Sequence, residues 1–101
     1  MRKPGLFYKI EAAVAFAEEV SSQSDRWVAR KIGDELVPAL LEARTYIEVG
    51  QVSAPEIKLA LSRAALVASG LADTDPNFAP LFSRLRVLQE DAATVSRAMR
   101  R

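Results

Sequence analysis

Apolar residues recur along this chain with the period of an α-helix, in four stretches separated by short polar or glycine-containing segments. The stretches cover about Leu6 to Val20, about Asp25 to Val49, Pro55 to about Ser69, and a last segment that begins between Pro76 and Pro80. No segment shows the sustained two-residue alternation of a half-buried β-strand. The pattern therefore predicts an all-α, compact four-helix domain that is bundle-like, with short loops that make successive helices antiparallel neighbours.

The second stretch keeps its helical phase across Pro38. A proline inside a helix lacks the backbone N–H and clashes with the carbonyl four residues earlier, here that of Asp34. Because the apolar stripe is not displaced beyond Pro38, we expect one kinked, continuous helix. A break near Val37 is the alternative, since residues before proline avoid the α region. Gly50 stands where a glycine just past the last turn would end the helix.

Polar residues at the other boundaries have the spacing of helix caps. Ser22 or Ser24 is a candidate N-cap for the second helix. Ser53 and Glu56 have the spacing of a capping box, which predicts that the third helix starts there. The segment from Gly70 to Asp75 is rich in the residues of turns, and we expect it to be a loop.

The apolar positions of the fourth helix follow one another in alternating steps of four and three residues. They are Leu81, Leu85, Leu88, Ala92, Val95 and Met99. This is a strict heptad seam, the narrow pattern expected when a helix pairs with another helix along its length. The seam is one of two observations that suggest a homodimer.

The second observation is a set of apolar residues away from the main stripes of the second and third helices. They are Trp27, Val37, Leu41, Leu59 and Leu66. One interpretation is that these two helices are central and buried on two sides. The other is that the residues form a protein interface, since tryptophan is enriched in interface hot spots and small chains often complete their cores by dimerising.

The chain contains no histidine and no cysteine. Histidine is the usual proton carrier near neutral pH, and cysteine supplies the thiolate nucleophile and the soft metal ligand. The remaining candidates for acid–base chemistry are carboxylate pairs on predicted polar faces: Glu11 with Glu18, Glu18 with Glu19, and Glu35 with Glu42. We interpret these as solvated surface charges. The residue inventory therefore predicts a protein that is not an enzyme and holds no cofactor or metal.

Cations are concentrated near the C-terminal end, although the net charge of the chain is only +1. By helical periodicity Arg86, Arg97, Arg100 and Arg101 project within about 100° of one another. Such a cluster could contact the phosphates of a nucleic acid or an acidic protein. It could equally be a solvated helix end, where cations also suit the helix dipole.

Half of the residues are apolar, so residues 1–101 can form a single domain with its own core. The longest uninterrupted aliphatic or aromatic run, Ala12 to Ala17, is too short to cross a bilayer, and we expect a soluble cytoplasmic protein. Together these features predict a small, non-enzymatic helical protein-interaction module. It would act as a homodimer and as a regulator, adaptor or inhibitor of a protein partner. A small nucleic-acid-binding accessory protein that uses the C-terminal arginines is the alternative.

Overall fold

A computed structural model of the chain describes residues 4–52 and 54–98, with side chains described as far as residue 95. The described residues form four helices and no β-strand. The helices are α1 (Gly5–Ser22), α2 (the consecutive segments Arg26–Lys31, Ile32–Leu36 and Val37–Glu48), α3 (Pro55–Thr74) and α4 (Ala79–Ala98), with a 3₁₀ turn at Pro76–Phe78 before α4. The all-α prediction is confirmed.

Each helix packs against two neighbours, so that α1 and α3 each lie between α2 and α4. Polar side-chain pairs join all four adjacent helix pairs: Glu11 with Arg44, Glu42 with Arg63, Ser62 with Gln89, and Lys9 with Asp91. Lys9 and Glu11, in the first half of α1, pair with Asp91 and Arg44, in the second halves of α4 and α2, which is the antiparallel arrangement that short loops impose. The predicted four-helix domain is therefore an up-and-down bundle.

The heptad seam of α4 is buried inside the chain. Leu81, Leu85, Leu88 and Ala92 all belong to the core cluster, which α1, α2 and α3 complete from their own apolar stripes. Val95 is half-buried, and Met99 lies outside the described residues. The helix that pairs with this seam is consequently a neighbour in the same bundle. The seam gives no support to the dimer, which must be argued from other residues.

The second helix passes Pro38 without a break. Its middle segment, Ile32–Leu36, is a π-helix, in which the N–H of Val37 donates to the carbonyl oxygen of Ile32, five residues earlier. This wider turn changes the hydrogen-bond register just before the proline, whose ring would clash with the carbonyl that an α-helical turn places beneath it. The prediction of a continuous helix is confirmed, and the alternative break near Val37 is wrong.

The end of α2 is set by Gly50, as predicted. Its φ of +86° lies in the left-handed region that favours glycine. The N–H of Gly50 donates to the carbonyl oxygen of Ile47 at 3.0 Å, and the N–H of Gln51 donates to that of Tyr46 at 2.9 Å. These two bonds form a Schellman motif, which satisfies carbonyls that the last turn of the helix would otherwise leave unpaired.

The serine caps predicted for α2 are wrong. The N-cap position is occupied by Asp25, and Ser22 is the last residue of α1. The hydroxyl of Ser22 donates to the carbonyl oxygen of Glu19 at 2.8 Å, and that of Ser24 donates to the carbonyl oxygen of Val20 at 2.6 Å. Both hydroxyls thus bond backward to the last turn of α1, because short polar side chains bond to whichever backbone group is nearest.

The third helix is longer than its sequence pattern predicted. Ser53 lies outside the described residues, and the N-cap position is Ala54, so that Pro55 is the first helical residue, where its missing N–H is harmless. The expected loop from Gly70 is wrong, since α3 continues to Thr74. The buried Leu71 carries the apolar face past the glycine, and one more turn is stabilised by that burial.

The helix α3 ends where the chain approaches Pro76. Asp75 has an extended backbone (φ −147°, ψ 118°), because a residue before proline is excluded from the α region. Its carboxylate accepts a hydrogen bond from the N–H of Asn77 at 2.9 Å, which caps the following 3₁₀ turn. This compact connection lies beside the start of α2, with which it lines a common hollow.

Candidate interaction surfaces

The five apolar residues predicted to form an interface are distributed over three places. Leu59 and Leu66 lie on the outer side of α3, Val37 and Leu41 line a groove between α1 and α2, and Trp27 lies in the first turn of α2. The two interpretations offered for these residues therefore apply to different members of the set. Val37 is half-buried and packs against the core, whereas Trp27, Leu59 and Leu66 are exposed.

The outer side of α3 carries two strongly exposed leucines. Leu59 is 61% exposed and Leu66 is 73% exposed. They are one heptad apart, so they share a stripe and are separated by about 10 Å along the helix axis. We use the name α3 ridge for the five residues of this stripe, which are Leu59, Arg63, Leu66, Gly70 and Asp73.

The two leucines of the α3 ridge do not contribute to the core of the bundle. The inner positions of α3 already pack against α2 and α4, and on the ridge Arg63 forms an ion pair with Glu42 of α2 while both leucines stay exposed. A helix with this role needs apolar residues only on its inner side. Covering the two leucines would remove apolar surface from water and contribute about 1–3 kcal/mol for each side chain. The ridge can therefore serve as a contact for another protein surface.

A groove of about 510 Å³ runs between α1 and the π-helical part of α2. Its floor contains Val14, Ile32 and the two predicted residues Val37 and Leu41, and Gly33 leaves a gap in which an added methyl group would meet no atom within 4 Å. At one end the guanidinium of Arg44 lies 3.3 Å from the carboxylate of Glu11. The groove is shallow and mostly apolar, with charges only on its rim.

Trp27 is 52% exposed and lines two hollows at one end of the bundle. The first hollow, of about 390 Å³, is formed with Arg26 and Arg30. The second, of about 530 Å³, is formed with the α1–α2 turn and the α3–α4 connection. We call Arg26, Trp27 and Arg30 the Trp27 patch. Sequence reasoning missed the two arginines, although their positions flanking an aromatic residue on one helix were visible.

Of the four arginines predicted to contact an anionic partner, the structure places only the side chain of Arg86. It is exposed, and its guanidinium lies 6.0 Å from the centre of the Phe82 ring. The side chain of Arg97, together with Arg100 and Arg101, lies outside the described residues. Contact between these arginines and an acidic partner remains a prediction.

The carboxylate pairs considered for acid–base chemistry lie on exposed surfaces. Three of these carboxylates form ion pairs: Glu11 with Arg44, Glu35 with Lys31, and Glu42 with Arg63. Within the described part of the chain, no three acidic side chains converge in a way that could hold a metal ion. Across the same residues, no helix has the length and apolar character needed to cross a bilayer.

The fold defines the chain as an up-and-down four-helix bundle with three distinct surface features. Comparison with protein-family models, with curated proteins and with solved structures produces no match. The function is therefore argued from the residues of the three surfaces.

Proposed function

We propose that this protein is a cytoplasmic, non-enzymatic protein-interaction module that works as a homodimer through the α3 ridge. The observation that supports the proposal most directly is the exposure of Leu59 and Leu66 on one stripe of a helix whose other sides are already packed. An exposed leucine on such a stripe can be covered by a second helix that packs along it.

The order of residues along the α3 ridge favours a second copy of the chain as the occupant. A two-fold contact is self-complementary, so each residue of the ridge must find a suitable residue on the same ridge. When two α3 helices run antiparallel about a point midway between Leu66 and Gly70, Leu66 of one copy faces Gly70 of the other. The leucine side chain thus projects toward open space, since an added methyl group at Gly70 would meet no atom within 4 Å. Leu59 lies beyond this overlap, because the α3 helix of the other copy ends at Thr74.

The charges on the ridge fit the same alignment. Arg63 and Asp73 lie at equal distances on either side of the midpoint, so an antiparallel pair places each arginine, already paired with Glu42 of its own chain, near the aspartate of the other copy. Both residues are exposed. A parallel pair would instead place like charges side by side. Rim charges of this kind set the orientation of an interface more than its affinity.

Light scattering over a series of concentrations tests the proposal. At high micromolar concentration we expect a mass of about twice 11.1 kDa. Leu66→Glu should give the monomer mass, because the interface would bury an unpaired charge. Val87→Glu is the matched control, since it places the same charge at an exposed apolar position of α4 and should leave the dimer intact.

A second substitution distinguishes loss of the contact at the α3 ridge from general damage to the fold. Gly70→Gln adds a long side chain where the bundle has free space, so the monomer should remain folded while the dimer is lost. A wild-type mass of one chain at the highest concentration would refute the homodimer. A dimer that survives both Leu66→Glu and Gly70→Gln would place the interface elsewhere on the surface.

A further inference from the structure

The two arginines of the Trp27 patch are exposed cations that form no ion pair with any residue the structure describes. Arg26 and Arg30 lie four residues apart on α2, on the same side of the exposed Trp27 around the helix, and the three side chains form one hollow. The ion pairs among the described residues use other cations, and Lys31 beside them is paired with Glu35. The patch therefore presents unneutralised positive charge directly beside an aromatic surface.

The second hollow at Trp27 has a different chemistry. It contains the side-chain amides of Gln23 and Asn77, which can donate and accept hydrogen bonds, and the carboxylates of Asp25 and Asp75. The carboxylates disfavour an anion in this hollow but accept hydrogen bonds from amino groups. Trp27 thus borders a cationic hollow and a polar hollow that excludes phosphate.

We propose that the Trp27 patch binds a nucleotide unit, with its base stacked on Trp27 and its phosphate held by Arg26 and Arg30. A nucleotide combines an aromatic ring, amino and carbonyl groups on the edge of that ring, and an anionic phosphate, and the patch offers a matching surface for each part. The carboxylates of the polar hollow determine the direction of binding, because they leave only the arginine side for the phosphate. This site is separate from the α3 ridge and does not depend on the homodimer.

The same chemistry exists in a free nucleotide and in a single-stranded nucleic acid. A base in a duplex is stacked on both faces and cannot lie on an indole, so a duplex should bind poorly. In a single strand each base has an available face, and stacking on an aromatic side chain tolerates every base. The experiment therefore compares thymidine monophosphate, a short oligo(dT) and a duplex of similar length.

Tryptophan fluorescence gives a readout confined to this site, because Trp27 is the only tryptophan in the chain. At low salt we expect oligo(dT) or the monophosphate to quench this fluorescence in a saturable way. Inorganic polyphosphate, which has no base, should not quench it. Equal affinity for the monophosphate and for oligo(dT), per nucleotide, would identify the free nucleotide as the ligand, and tighter binding of oligo(dT) would identify the single strand.

Substitutions followed by the anisotropy of labelled oligo(dT) complete the test. Trp27→Leu should weaken binding roughly ten-fold or more, and Trp27→Phe should weaken it less because a stacking surface remains. Replacing Arg26 and Arg30 together by alanine should reduce the salt slope by about 0.7 for each phosphate that is no longer neutralised. Arg86→Ala is the matched control and should change nothing, since that arginine belongs to α4. Circular dichroism checks that each variant is folded.

Several outcomes would overturn the proposal. The absence of both fluorescence quenching and an anisotropy change at low salt would exclude the site. Binding that is unaffected by Trp27→Leu, or that prefers the duplex, would show that the base does not stack on Trp27. Quenching by polyphosphate equal to that by oligo(dT) would indicate an anion site without base recognition. Loss of binding in Arg86→Ala alone would favour the arginines of α4 instead.

Discussion

Replacing Gly70 by alanine is expected to stabilise the protein, although a glycine is usually considered a residue that a fold requires. Gly70 lies inside α3 with a negative φ, is exposed, and has no atom within 4 Å of the position that a Cβ would occupy. Alanine therefore brings no clash. It restricts the unfolded chain and adds helix propensity, which together contribute about 0.5–1 kcal/mol to the free energy of unfolding.

The expected gain lies toward the lower end of that range, because Gly70 is only one turn from the end of α3 at Thr74 and helix ends fray. For a domain of this size, a gain of about 0.5–1 kcal/mol corresponds to a rise in Tm of about 2–8 °C. Urea unfolding followed by circular dichroism measures the free energy, and a thermal scan measures Tm. Both are repeated at two protein concentrations, because dimerisation would itself raise the apparent stability.

Gly50 provides the matched control with the opposite sign. An added methyl group there also meets no atom within 4 Å, so space does not distinguish the two sites. The difference is the φ of +86° at Gly50, which costs a residue with a side chain about 1–2 kcal/mol. Gly50→Ala should therefore destabilise the protein by about that amount. If Gly70→Ala were destabilising, or if both variants changed stability equally, the reasoning about the helical end of α3 would be wrong.

Two further substitutions test the packing of the bundle and its surface. Leu85→Ala removes a fully buried side chain of the α4 seam and should lower the free energy of unfolding, measured by urea titration, by about 2–5 kcal/mol. Leu66→Ala should change the free energy of unfolding of the monomer little, because that leucine is exposed. Equal effects of the two would contradict the assignment of the seam to the core. Lys9→Met breaks an exposed ion pair with Asp91 and should alter the same free energy by less than about 1 kcal/mol, and a larger loss would show that this pair is essential to the packing of α1 on α4.

The local features of the helices were readable from residue order alone. The phase of apolar residues predicted a continuous α2 across Pro38, and Gly50 predicted the end of that helix. Both depend on interactions within a few residues of chain: the proline acts on the preceding turn, and the glycine adopts a left-handed φ. The number of helices and their antiparallel order followed from the same periodicity and from the short connections between them.

Boundaries were less predictable where local signals competed with packing. Ser22 and Ser24 have the chemistry of N-caps, but α1 extends far enough for their hydroxyls to bond to its last carbonyls. Gly70 resembles the start of a loop, but burial of Leu71 carries α3 past it. In both places a neighbouring element decides between two local conformations of similar free energy.

Only the tertiary structure decided which surface covers each apolar face. Periodicity identifies the heptad seam of α4, but a seam covered by a neighbouring helix and one covered by a second chain have the same sequence pattern. The structure buries the Leu85 stripe and leaves Leu66 exposed. It also brings Asn77 into one hollow with Trp27, fifty residues away along the chain. Such contacts depend on how four helices pack together, because the packing minimises exposed apolar area for the whole chain and no local segment specifies it.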